Sequence, residues 1–191
     1  MNTPSIYLND HLESLDLDTA LPLLSEQRRE QVLRYKHESG RRQSAAAYLL
    51  LCKGLREQYG ITTPPRFGYH EGGKPYLSGR PDIHFNMSHC QEAAICAISD
   101  APVGVDVESV RPLKEAVVRY TMSEGEVAQI LGDDNPALAF TCLWTKKEAL
   151  LKLTGTGIRG DMKTLLENQE QRIQTIVSDD RRYVYSIATN P

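Results

Sequence analysis

The chain lacks any hydrophobic run long enough to cross a bilayer. Its longest apolar stretch, Ala45 to Cys52, falls well short of the roughly 20 residues a spanning helix needs. Cysteine is scarce: Cys52, Cys90, Cys96 and Cys142 are the only four, and no two form a C-x-x-C pair. That argues against a zinc knot or a thiol redox motif. The N-terminus, Met-Asn-Thr-Pro, has no basic segment leading into an apolar one, so no signal peptide is expected. The expectation is therefore a cytoplasmic protein whose thiols are reduced and mostly buried. Charge of one sign is also lacking, since 22 Lys and Arg stand against 25 Asp and Glu for a net charge of -3. No field of the kind that attracts nucleic acid non-specifically results. Neither G-x-x-x-x-G-K-[ST] nor G-x-G-x-x-G occurs, which removes the usual support for a nucleotide-binding regulator.

What is present suits a globular enzyme or binding module. The 191 residues, 40% hydrophobic and 25% charged, can bury the core of one compact domain or two small lobes. Ser25 can cap a helix running to about His37, and Ser39 another that carries Ala45, Leu49 and Leu50 to Tyr59, with Gly60 as its stop. Residues 66–108 are then rich in turns and β-type runs. Gly72-Gly73-Lys74-Pro75 reads as a turn, while Ile83–Met87, Ala93–Ser99 and Val103–Glu108 read as strands. Helices return at Ser123, which with Glu126 fits a capping box ended by Gly132. Asn135-Pro136 starts a further helix to about Leu153. Arg172–Val177 and Arg182–Ala188 suggest a hairpin around Asp179-Asp180. The order, helices then strands and again helices then strands, suggests two α+β lobes joined near residue 101.

Two segments carry clustered carboxylates. Val103-Gly104-Val105-Asp106-Val107-Glu108 alternates strictly, so three valines share one face while Gly104, Asp106 and Glu108 share the other. Asp106 and Glu108 then lie about 6.6 Å apart along the strand, within reach of one hard cation such as magnesium. A solvated strand face is the competing explanation, although aspartate is a poor strand former. In Trp144-Thr145-Lys146-Lys147-Glu148-Ala149-Leu150-Leu151-Lys152, a spacing of four puts Trp144, Glu148 and Lys152 on one helical stripe bordered by Lys147. An exposed Glu–Lys pair would give the same pattern.

Several residues can donate to phosphate. Lys74 sits on the rigid turn Gly73-Lys74-Pro75, and Phe85-Asn86-Met87-Ser88-His89 ends a strand with a hydroxyl and an imidazole. Arg41 and Arg42 open the long helix, preceded by Arg28, Arg29, Arg34 and Lys36. Cations in a first helical turn oppose the helix dipole, and a bound phosphate there would account for them. A solvated turn, a structural histidine and a charged helix face interleaved with Glu26, Glu30 and Glu38 remain open as alternatives.

Taken in order, Gly73-Lys74-Pro75, Phe85 to His89, Gly104-Val105-Asp106-Val107-Glu108 and Trp144 to Lys152 resemble the signature of the 4′-phosphopantetheinyl transferase superfamily. The last two blocks match its G-[VI]-D-x-E and [FW]-[STC]-x-K-E-[AS]-x-x-K patterns at every defined position. The resemblance is to the two-lobed, Sfp-like type. It implies an α+β fold of two pseudo-symmetric α/β lobes, residues 1–101 and 102–191, with the active site in the cleft between them.

It also implies transfer of the 4′-phosphopantetheine arm of coenzyme A to a serine of an acyl, polyketide or peptidyl carrier protein, releasing 3′,5′-ADP. Asp106, Glu108 and Glu148 would be the Mg2+ ligands. Arg42, Lys74, Pro75, Ser88, His89, Asp106, Lys147 and Lys152 would bind coenzyme A. Glu148, as base, and Lys152, at the departing phosphate, would be catalytic. The sequence leaves open whether Glu148 is ligand, base or both. Two lobes in one chain can build a whole site, so a monomer is expected, with no nucleic acid or membrane partner. The competing class is a coenzyme A or carrier-binding module without turnover, against which the complete set of carboxylates and lysines argues. The Sfp-like members are somewhat longer at the C-terminus, so the carrier-docking surface is expected to differ.

Overall fold

A computed structural model describes residues 3–155, 162–167 and 170–191. The first part of the chain runs through β1 (Ser5–Asn9), α1 (Leu17–Ala20), α2 (Glu26–Leu33), α3 (Glu38–Tyr59), β2 (Phe67–Tyr69), β3 (Pro75–Leu77), β4 (His84–His89) and β5 (Ala94–Ser99). The second runs through β6 (Val103–Ser109), α4 (Glu115–Thr121), α5 (Glu124–Leu131), α6 (Pro136–Thr154), β7 (Arg172–Val177) and β8 (Tyr183–Thr189). The fold is α+β. Two antiparallel three-stranded sheets, ordered β1-β5-β4 and β6-β8-β7, fall on either side of residue 101, with β2 and β3 as a separate hairpin. None of the described helices is long and apolar enough to cross a membrane.

Each large sheet is covered by a long helix. Leu51 and Leu55 of α3 pack with Phe85, Cys96 and Ile98 of the first sheet. Ala149, Leu150 and Leu153 of α6 pack with Ala188 of the second. The alternation in β6 then decides how the sheets meet. Val103, Val105 and Val107 turn into a core shared with Ile95 and Ala97 of β5 and with Tyr183 and Ile187 of β8. The opposite face, bearing Gly104, Asp106 and Glu108, lies under α6. A Cβ on Gly104 would stand 2.0 Å from the Ala149 carbonyl oxygen and 2.4 Å from the Leu153 nitrogen. Glycine is therefore what lets helix and strand approach, and the approach carries Glu148 and Lys152 over the strand carboxylates.

The unpaired edge of β6 is filled from the first half of the chain. The Asn86 side-chain oxygen accepts from the Val105 N–H at 2.9 Å, and the Lys74 ammonium donates to the Val103 carbonyl at 3.1 Å. An exposed strand edge is thereby closed within the molecule.

Most helix signals act where the sequence places them. Ser25 accepts from Arg28 N–H, and Ser123 and Glu126 form a capping box ended by Gly132. Asn135 caps α6 with Pro136 behind it, and Gly60 stops α3 with φ 67°. The β7–β8 hairpin is also present. Two boundaries differ. α2 ends at Leu33 rather than near His37, because 3-10 type bonds from Arg34 to Gln31 and from Tyr35 to Val32 tighten its last turn. α3 begins at Glu38 with His37 as an N-cap lacking a side-chain bond, so Ser39 lies inside the helix rather than capping it. β1, α1, β2, β3 and α4 have no counterpart among the elements the sequence predicts.

Candidate active site

The face of β6 under α6 gathers the acidic residues. Ser88, at the end of β4, donates its hydroxyl to Asp106 Oδ1 at 2.9 Å. Lys152 donates to the same carboxylate oxygen at 2.5 Å and to Ser88 Oγ at 2.9 Å. About two turns earlier on α6, Trp144 donates its indole N–H to Glu108 Oε1 at 3.3 Å. Because β6 and α6 run antiparallel, Trp144 meets Glu108, Lys152 meets Asp106, and Glu148 falls between them. Three elements thus supply one cluster: Ser88 from β4, Asp106 and Glu108 from β6, and Glu148 and Lys152 from α6.

The cluster is electrostatically tense. Burial, then the Asp106 charge, pushes the Glu108 carboxyl up to about 7, against the opposing Trp144 hydrogen bond. Burial and Asp106 likewise raise Glu148, with Lys152 pulling the other way. Asp106 is 2% exposed and its Oδ2 is buried without a partner among the described residues. A carboxylate with one oxygen orphaned, beside two others pushed toward protonation, is a negative site short of positive charge. All its donors are oxygens, the ligand class of hard divalent cations. As placed, the side chains do not close into a cage, since no group of three or more His, Cys, Asp or Glu among the described residues could hold a metal ion. The residue types and the orphaned Asp106 oxygen fit such an ion.

A groove of about 390 Å³ is lined by Arg28, Arg34, Tyr35, Tyr69, Pro75 and His89. His89 is part of the groove lining. Burial, then the charges of Arg28 and Lys152, lowers its imidazole to about 4, so it is neutral at pH 7. Arg28 spans α2 and α3, donating through Nη2 to the Ser44 carbonyl at 2.9 Å and to Ser44 Oγ at 3.0 Å. Its Nε is buried without a partner among the described residues. Tyr69 accepts from Gln31 Nε2 at 2.9 Å across the groove. Cations, a neutral imidazole and flat faces in one groove match a phosphorylated, ring-bearing ligand. The sequence leaves the role of Arg28 open. Its place beside His89 depends on α2 packing on α3, a contact no local pattern in the chain announces.

Three sequence candidates are placed elsewhere. Lys147, expected at phosphate, is wholly buried, and its ammonium donates to Thr121 O, Glu126 Oε2 and Met162 O. Here every donor is used inside the protein. Arg42 pairs with Glu38 at 2.5 Å and faces a cavity lined also by Asp10, Glu13, Glu92 and Arg182, apart from the His89 groove. Its neighbour Arg41 donates to the Tyr35 carbonyl at 2.9 Å, so both cations of that first turn have protein partners. The Lys74 ammonium bonds the Val103 and Leu153 carbonyls, and burial lowers it to about 8. Pro75 follows it at the groove wall.

Comparison with known proteins points the same way. Residues 102–188 match the family model of the 4′-phosphopantetheinyl transferase superfamily. The 4′-phosphopantetheinyl transferase Sfp of Bacillus subtilis (strain 168) is 28% identical over 161 residues, covering 83% of this chain and 72% of that protein. The 4′-phosphopantetheinyl transferase psf-1 of Bacillus pumilus is 30% identical over 154 residues, 79% of this chain and 66% of that one. The 4′-phosphopantetheinyl transferase gsp of Aneurinibacillus migulanus is 31% identical over 138 residues, 71% and 57% respectively.

Proposed function

The chain belongs to the 4′-phosphopantetheinyl transferase superfamily, of the Sfp-like type, and from that premise we propose that it transfers the 4′-phosphopantetheine arm of coenzyme A to a serine of an apo carrier protein. The observation that carries this reading is the cluster itself: Asp106 with an orphaned buried oxygen, Glu108 and Glu148 raised beside it, and Lys152 and Ser88 hydrogen-bonded across it.

Asp106, Glu108 and Glu148 would hold Mg2+, which when bound neutralises charge on the diphosphate of coenzyme A. His89 and Arg28 bind phosphate groups in the groove, with Pro75, Tyr35 and Tyr69 as faces for the adenine. The carrier serine oxygen forms a bond to the β-phosphorus as the bond from that phosphorus to the oxygen of 3′,5′-ADP breaks. Glu148 takes the serine proton, a task suited to a carboxyl raised above its ordinary value. Lys152 donates to the phosphate oxygen that gathers charge as 3′,5′-ADP leaves. Lys74 and Arg42 reach the ligand only by exchanging their present partners. We also propose that residues 1–101 and 102–191 act as two lobes of a monomer working in the cytoplasm, since one chain supplies groove and cluster together.

The test is direct. Purified protein, coenzyme A, Mg2+ and a panel of fatty-acid, polyketide and peptide-synthetase apo carriers are incubated, and carrier mass is measured. A gain of one phosphopantetheine arm on at least one carrier is expected. Unchanged masses across the panel would overturn the reading.

A further inference from the structure

Lys147 precedes Glu148 on α6 yet takes no part in the cleft. Its side chain has no exposed surface. An ammonium has three N–H donors, and here each meets an acceptor: Thr121 O at 3.1 Å, Met162 O at 2.6 Å and Glu126 Oε2 at 2.6 Å. The acceptors come from three places, the last residue of α4, the first turn of α5 and the chain beyond α6. Glu126 Oε2 also accepts from Ser123 N–H at 2.7 Å, so the carboxylate that completes the capping box of α5 anchors α6 as well.

Beside these hydrogen bonds, apolar contacts join α6 to the α4–α5 pair. Leu143 packs with Val118, Met122 and Ile130, joined by Phe140 and Ala139. Apolar packing is non-directional and lets a helix slip or turn by small amounts, whereas hydrogen bonds fix angle and distance. Burying an ammonium is costly unless it is fully paired, and a well-packed apolar residue in its place is often neutral or stabilising. A lysine here is therefore poorly explained by stability and well explained by geometry.

We infer that Lys147 is a positioning residue for the transfer reaction. Its tripod sets the rotation and depth of α6, so that Glu148 and Lys152, on the neighbouring face, meet Asp106 and Glu108. The inference rests on the proposed transfer and adds a residue that acts through Glu148 without touching coenzyme A.

The experiment compares Lys147→Met, the double variant Lys147→Met/Glu126→Gln, and each combined with Glu148→Gln. The double variant removes the buried charge pair while leaving glutamine an oxygen for the Ser123 N–H, so it keeps the fold where the single variant fails. Thermal melting, coenzyme A affinity by calorimetry, and kcat and KM for transfer are measured. Expected for the double variant are a melting point near wild type, coenzyme A affinity within about threefold, and kcat lowered on the order of 100-fold, the scale of a small misplacement of a reacting group. Adding Glu148→Gln should then cost far less than it costs the wild type, because the two changes act through one side chain. Additive losses, or a double variant with wild-type kcat, would overturn positioning. Weakened coenzyme A binding with unchanged kcat would instead put Lys147 at the phosphates. An inactive wild type would sink the transfer reading, whereas any of these results on an active wild type bears on Lys147 alone.

Discussion

At the scale of single residues, Glu108 shows how the site stores its need for a cation. Its carboxyl is pushed up to about 7, mainly by burial and then by Asp106, from an ordinary value near 4.3 in an unfolded chain. The folded value lies above the unfolded one, so between those values the native state holds more protons. Stability must then fall as pH rises through that window. In metal-free protein we expect a declining melting temperature from roughly pH 4 to pH 7, flattened by Glu108→Gln. The share from this partly exposed group, discounted for screening, is about 1–2 kcal/mol, a shift of a few degrees. Identical profiles for the two proteins would reject the assignment. Divalent cations need the carboxylate, so their affinity should rise with pH through about 7. Trp144, the sole tryptophan, reports this through its hydrogen bond to Glu108. Its fluorescence should change on Mg2+ titration in the wild type and much less in Asp106→Ala; an equal response in both would remove Asp106 from the ligand set. These carboxylates were legible in the sequence because their spacing is local, every second residue of a strand and every fourth of a helix. The buried partners of Lys147 were not legible, for a related reason. Its stripe borders that of Glu148, and only the packing of α4 and α5 shows which side of α6 is buried.

At the scale of elements, the β6–α6 pair matters most, and it depends on Gly104. A methyl group there meets backbone rather than a yielding side chain, at 2.0 Å from Ala149 O and 2.4 Å from Leu153 N. Gly104→Ala must push α6 away from β6, carrying Glu148 and Lys152 off Asp106. We expect a stability loss of about 1–3 kcal/mol or more in denaturant unfolding. Transfer should fall on the order of 100-fold even at temperatures where the variant is folded. Full activity in a folded variant would show that the close approach is dispensable. Elements whose ends carry their own chemistry could be read in advance: Ser123 with Glu126, Asn135 with Pro136, Gly60, and the β7–β8 hairpin. Ser39 misled because a serine two residues inside a helix looks in sequence like one that caps it. β1 escaped because it exists as a strand only through pairing with the sequence-distant β5, in register from Ser5↔Ile98 to Asn9↔Ala94.

At the scale of the molecule, the two sheets are not independent bodies linked at residue 101. Val103, Val105 and Val107 of one share a core with Ile95 and Ala97 of the other, and Ser88 from the first sheet reaches Asp106 in the second. The site therefore exists only while the seam is closed. Asn86 is the seam's polar anchor: it is 5% exposed, and its oxygen is the acceptor for the Val105 N–H. Asn86→Ala would leave that buried donor unpaired, at a cost of about 1–3 kcal/mol. Since the sheets share a core, the variant should still unfold in one step, with Trp144 fluorescence and far-ultraviolet circular dichroism tracing the same curve at lower denaturant. Separate transitions, with Trp144 melting apart from the bulk of the helices and strands, would mean that the halves fold on their own and that the valine seam is only an interface. A single early transition, together with a parallel drop in Mg2+ response at Trp144, would tie the cation site to the closure of the seam rather than to β6 and α6 alone.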